Sequence, residues 1–221
     1  MEPIGTRLEK IRATLPQGVS LVAVSKFHPA EAVLEAYAAG QRLFGESRAQ
    51  ELTAKAATLP ADIRWHFIGH LQTNKVKPVV AAASLIESID SERLLMAVDR
   101  EAERQGKRTD VLLQVHVARE ETKFGFSPEE LLDLIRRRVF ENLKAVHICG
   151  LMAMASNTDD TDRVRDDFMK VAALRNEVMR IAPDLRRFDI LSMGMSHDYM
   201  TAIECGSNMV RVGTAIFGER I

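Results

Sequence analysis

Short apolar runs alternate with amphipathic runs along the whole chain. The apolar runs fall at 20–25 (SLVAVS), 42–46 (RLFGE), 65–69 (WHFIG), 84–89 (SLIESI), 110–117 (DVLLQVHV), 143–152 (LKAVHICGLM), 188–193 (FDILSM) and 208–213 (NMVRVG). Most are apolar at both odd and even positions, as strands of a parallel sheet covered by helices must be. The segments between them read as helices with recognisable ends. Pro29 reads as a first helical residue and Gly40 as the stop of that helix. Another helix starts at Asp90 or Ser91 and ends at Gly106. Ser127, Pro128 and Glu130 form a capping-box pattern, with Pro at the first helical position. The longest helical run closes before Pro183. A short one follows Ser196 and stops at Gly206.

Eight such alternations in 221 residues, with no low-complexity linker, predict an α/β chain with one domain spanning 1–221. The expected architecture is a single-domain TIM-type (β/α)8 barrel. A doubly wound open sheet is the alternative, weakened in its dinucleotide-binding form because no GxGxxG follows the first strand.

A barrel places its chemistry at the C-terminal ends of its strands. Lys26 stands there, directly after LVAVS. Partial burial lowers an amine's pKa and leaves it nucleophilic toward carbonyls, whereas an ordinary strand-end lysine would snorkel to water. The seventh and eighth strand ends each deliver a glycine and a hydroxyl: Gly194 with Met195 and Ser196, then Gly213 with Thr214. Glycines let a backbone approach closely, and N–H groups at the start of the short helix after Ser196 would face an anion. Barrels commonly hold a phosphate in these two loops, although capping hydroxyls on ordinary loops have the same pattern. Arg211 lies within an apolar strand and needs a partner. A phosphate, an aromatic ring nitrogen, or a barrel carboxylate such as Glu46 would each serve. A reactive lysine beside a phosphate cradle suits pyridoxal 5'-phosphate or a sugar-phosphate carbonyl.

The net charge of -1 with 28% charged residues gives no basic excess, which argues against nucleic acid as a partner. Cys149 and Cys205 form no CxxC pair, so reduced buried thiols are expected. The N-terminal segment MEPIGTRLEKIRATLP lacks the apolar stretch of a signal peptide, and no run approaches membrane-spanning length. A cytoplasmic protein with no membrane contact is the expectation. His66 and His70 are four apart, but Gly69 intervenes and the segment begins as strand. The two therefore do not share a helix face, and no metal site is expected. His70, Gln72, Asn74 and Lys75 are candidates for the cavity mouth, and Lys123 for the rim or a solvated loop.

Taken together, VAVSK, FGE…QE, WHFIGHLQTNK, KFGF, GLMAM and LSMGMSHDYMTAIECGSNMVRVGTAIFG resemble the YggS/PROSC family of pyridoxal phosphate homeostasis proteins, in order and over almost the whole chain. The resemblance implies a barrel like the N-terminal barrel of alanine racemase, of PLP fold type III. It implies that Lys26 carries the cofactor as a Schiff base. It further implies that Met195, Ser196, Gly213 and Thr214 hold the phosphate, and that Arg211 lies beside the cofactor, at either the phosphate or the ring nitrogen. Two departures stand out: Ser47 replaces the asparagine common after FGE, and Arg48 follows where an aromatic is common.

The resemblance implies a role in vitamin B6 homeostasis, buffering the cofactor or delivering it to apo-enzymes that use it, with a monomer expected. A PLP-dependent amino-acid racemase is the alternative, and a Schiff-base aldolase a more distant one. Racemisation needs acid/base groups on both faces of the substrate carbon. In barrel racemases the second is a tyrosine from another domain. Here the chain stops at Ile221, and its two tyrosines, Tyr37 and Tyr199, fall in predicted helices, which favours the carrier.

Overall fold

The computed structural model describes residues 2–117 and 124–219. Eight strands close into an all-parallel barrel in the order of the chain. They are β1 (Ser20–Val24), β2 (Leu43–Glu46), β3 (Arg64–Phe67), β4 (Leu85–Ile89), β5 (Thr109–His116), β6 (Val146–Met154), β7 (Ile190–Ser192) and β8 (Met209–Val212). The seam forms where β1 pairs with β8, with Val22 opposite Arg211. Each predicted strand is present, within a few residues of its expected ends.

Helices α1 (Ile4–Thr14), α2 (Ala30–Ala38), α3 (Ala49–Thr58), α4 (Val76–Ala82) and α5 (Glu92–Arg104) are followed by α6 (Pro128–Arg136), α7 (Thr161–Ile181), α8 (Tyr199–Glu204) and α9 (Thr214–Phe217). Their ends follow side-chain chemistry. The Ser91 hydroxyl accepts the Leu94 N–H at the start of α5, and Ser127 and Glu130 close the capping box of α6. Pro29 differs from expectation: it is extended and caps α2 instead of forming its first residue. Its fixed φ serves either position, and the pattern alone does not separate them.

Two apolar layers follow from strand alternation. Outward residues such as Phe44, Phe67, Ile86 and Leu113 pack under the helices together with Leu8, Leu52, Leu95 and Phe168. A smaller inner cluster, Val22, Leu85, Leu112, Cys149, Met152 and Met209, fills the barrel. Gly150 sits at φ +150°, where a Cβ would lie 1.8 Å from the Ile190 carbonyl oxygen. Only glycine lets β6 pass β7 this closely, beside the point where the β5–β6 register shifts. Both cysteines are buried free thiols, and burial pushes Cys149 up to about 12. Among the described residues, no helix is long and apolar enough to cross a membrane.

Candidate functional site

Alternation along β1 turns Val22 into the barrel and carries Val24 and then Lys26 to its mouth. A cavity of about 280 Å³ opens there, at the C-terminal end of the strands. Its wall includes Lys26, Met195, Ser196, Arg211, Gly213 and Thr214. The six residues singled out from the sequence therefore share one cavity, although they come from opposite ends of the chain.

The loop after β7 owes its shape to Gly194. Its φ is +94°, and a Cβ would fall 2.7 Å from both Tyr199 Cα and Ala202 Cβ. The loop can therefore lie flat on α8. Asp198 fixes it further by accepting the Met195 N–H at 2.5 Å. Ser196 is then turned toward β8, where its hydroxyl oxygen accepts the N–H groups of Gly213 at 3.2 Å and Ala215 at 3.4 Å. The two amides at the start of α9 thus converge on the Ser196 hydroxyl. At the start of the helix after Ser196, the Met195 N–H is likewise engaged within the loop, by Asp198.

Arg211 forms the floor and is 4% exposed. It donates to the Ser192 carbonyl at 2.8 Å, the Ser192 hydroxyl at 2.7 Å and the Ala153 carbonyl at 2.9 Å. These bonds use three of its five N–H donors. Its carboxylate partner is Glu87, at 3.8 Å, and not Glu46. Glu46 faces the other side of the barrel wall and pairs with Lys55 at 2.6 Å. Glu87 also accepts from Ser192 at 2.6 Å and lies 2.7 Å from His66 Nδ1. Burial alone would raise the Glu87 pKa; His66, Arg211 and Ser192 together outweigh it and hold the carboxyl below its ordinary value. Burial lowers Arg211, opposed by Glu87 and Asp198.

His66 and His70 bond different carboxylates, Glu87 and Asp90. His70 stacks on Phe124 at 3.7 Å and, with Gln72, Asn74 and Lys75, lies outside the cavity wall. Ser47 and Arg48 are likewise outside it; Arg48 stands at the N-cap position of α3, with no side-chain capping bond. Lys123 lies outside the described residues. Tyr37 donates to Asp62 at 2.8 Å, and the Tyr199 hydroxyl sits 3.0 Å from that of Thr14, so neither tyrosine reaches the cavity.

Val24, Ile68, Met152, Met154 and His197 complete the wall, and sequence reasoning did not single out Val24, Ile68 or His197. It also missed Glu87, which with Ser192 holds Arg211. The signal for Glu87 was present: a lone carboxylate in the apolar run SLIESI demands a buried partner. Strand parity places it inside the barrel with Arg211.

The model for "Alanine racemase, N-terminal domain" matches residues 2–221. A pyridoxal phosphate homeostasis protein of Schizosaccharomyces pombe is 40% identical, over 100% of this chain and 94% of its own. PipY of Synechococcus elongatus, solved without PLP, superposes with a TM-score of 0.93 at 40% identity, covering 97% of this chain and 100% of PipY. With PLP bound, PipY superposes at 0.90 and 39% identity, again over 97% and 100%. Alanine racemase of Enterococcus faecalis shares the fold, with a TM-score of 0.74 at 20% identity; the match covers 98% of this chain and 57% of the racemase.

Proposed function

The chain belongs to the family of pyridoxal phosphate homeostasis proteins, built on the alanine racemase N-terminal barrel, and we propose that it holds pyridoxal 5'-phosphate at the barrel mouth through Lys26. The observation that carries this is the convergence of an amine, an arginine and the hydroxyl residues Ser196 and Thr214 on one cavity. The donor set fits the cofactor. Lys26 offers an amine to its aldehyde. The hydroxyls of Ser196 and Thr214, beside Gly213, suit a phosphate. Val24, Ile68, Met152 and Met154 are apolar neighbours for a ring. At Gly213 a Cβ would lie 3.2 Å from the Val24 carbonyl oxygen, so the wall beside Lys26 depends on the missing side chain.

Bound there, pyridoxal 5'-phosphate supplies an aldehyde that condenses with an amine, and a ring that withdraws electrons from the attached carbon. The chain's own groups determine how far that withdrawal goes. Arg211 is fixed at the floor by Ser192, Ala153 and Glu87, so we place it at the ring nitrogen and leave the phosphate to the Ser196 loop. An arginine does not surrender its proton, and a ring nitrogen facing it stays unprotonated. That limits electron withdrawal and favours holding the cofactor over broad carbanion chemistry.

The role inferred is buffering or delivery of the cofactor inside the cell to apo-enzymes that require it, without robust turnover. The arrangement of the tyrosines supports this against a racemase, because neither stands opposite Lys26. Partners of the carrier are the cofactor and its recipient enzymes; nucleic acid and membrane have no part in the proposal, and the acting unit is a monomer.

Titration of the cofactor-free protein with pyridoxal 5'-phosphate tests the assignment. Wild type is expected to develop a visible absorption band at one equivalent. Lys26→Ala loses the band while keeping weaker, non-covalent uptake through the phosphate cradle. Absence of uptake by wild type would refute the proposal.

A further inference from the structure

Lys26 sits in a turn whose neighbours on both sides are held by charged residues of β2 and α3. Before it, the Ser25 carbonyl accepts from Lys55 Nζ at 2.9 Å, and the Ser25 hydroxyl donates to Glu46 Oε1 at 2.7 Å. Lys55 closes the triangle by donating to the same Glu46 oxygen at 2.6 Å. After it, the Phe27 N–H donates to Glu51 Oε2 at 2.9 Å, and Glu51 lies 3.9 Å from Lys55 Nζ. Phe27 has φ +66°, a left-handed conformation that a bulky residue adopts only when its surroundings impose it.

The cluster is an expensive way to hold a barrel together. Lys55 and Glu46 are both buried, and Glu46 Oε2 is a buried oxygen without a hydrogen-bond partner. Burial pushes the Glu46 pKa up, against the hydrogen bonds from Lys55 and Ser25. Buried pairs of this kind are weak sources of stability compared with apolar packing. What this one achieves is geometric: it pins the residue before Lys26 and, through Glu51, the residue after it.

We propose that Lys55, Glu46 and Glu51 are positioning residues for Lys26. From the helix side of the barrel wall they fix the Ser25–Phe27 turn, and so aim the amine into the cavity on the other side. The proposal rests on the reading of Lys26 as the amine that captures the cofactor. In that capture the amine nitrogen bonds the aldehyde carbon, and the carbonyl oxygen leaves as water with the two nitrogen protons. No oxidant or reductant is needed. A fixed turn speeds the step by holding the nitrogen where it can attack.

The test is the rate at which the full chain captures pyridoxal 5'-phosphate, followed by stopped-flow absorbance, with Tm measured alongside. Glu51→Ala removes the acceptor of the Phe27 N–H and leaves a good helix former on α3. Its capture rate is expected to fall about tenfold, with Tm within about 3 °C of wild type. Glu51→Gln keeps an accepting oxygen and is expected to stay within about threefold of wild type. Lys55→Met combined with Glu46→Gln leaves no lone buried charge, and is expected to capture at least about tenfold more slowly. If that double variant does not fold, the Glu51 pair decides alone. The proposal is overturned by Glu51→Ala or the folded double variant capturing within about twofold of wild type, or by an equal loss in Glu51→Ala and Glu51→Gln. If wild type itself captures nothing, the reading of Lys26 falls and takes this proposal with it; if wild type captures and the variants match it, only the positioning falls.

Discussion

At the scale of single residues, two charged groups are treated in opposite ways. Lys26 is carried to the mouth by strand parity and stays half-buried, while Arg211 and Glu87 lie inside the barrel and satisfy each other through Ser192 and His66. The sequence showed that Arg211 needs a partner but did not identify it. Glu46 ends one apolar run and Glu87 lies within another, and only the strand parities separate the inward carboxylate from the outward one. The depressed Glu87 pKa has a consequence for stability. A carboxylate held below its ordinary value stabilises the fold above that ordinary value, near pH 4, and the contribution is lost as pH falls through the folded value. Glu87→Gln is therefore expected to cost about 2 kcal/mol at neutral pH. It should also flatten the acid limb of Tm against pH below about pH 4. An unchanged acid limb would contradict the assigned network. A second residue-scale expectation concerns Gly213. Gly213→Val crowds the Val24 carbonyl, 3.2 Å from the glycine's missing Cβ, and should weaken pyridoxal 5'-phosphate binding about tenfold or more in an equilibrium titration.

At the scale of elements, periodicity and end signals made the fold legible. The eight apolar runs became the eight strands because runs of five to ten residues, apolar on both faces and bounded by helix signals, fit buried parallel strands. Helix ends with a side-chain signature, such as Ser127 with Glu130, matched as well. The expectation failed where one residue type serves two positions, as with Pro29. The amides beside Ser196 are those of α9, a four-residue helix too short to give a periodic signal. Ser127→Ala removes one half of the capping box and is expected to cost about 1 kcal/mol, lowering Tm by about 2–4 °C in thermal unfolding. Cofactor uptake should be unchanged, since α6 does not border the cavity.

At the scale of the whole molecule, the barrel brings residue 26 and residues 195–214 together by pairing its first strand with its last. This closure could be read in the sequence as a count of strands, but the cavity could not, because Val24, Ile68, Met152 and Met154 look like any other apolar positions. One amine and one fixed arginine suit a site that holds a carbonyl cofactor. A racemase would need a second base on the opposite face, and the tyrosines are engaged elsewhere. Holo-protein incubated with L- or D-alanine in deuterated water is accordingly expected to exchange the α-proton no faster than free pyridoxal 5'-phosphate does. Rapid exchange, followed by NMR, would identify an enzyme. The most direct test of the central claim is borohydride reduction of the protein loaded with pyridoxal 5'-phosphate, with the adduct then located by peptide mass mapping. One stable adduct per chain is expected, on Lys26. Adducts spread over surface lysines, or located on another residue with Lys26 unmodified, would contradict it.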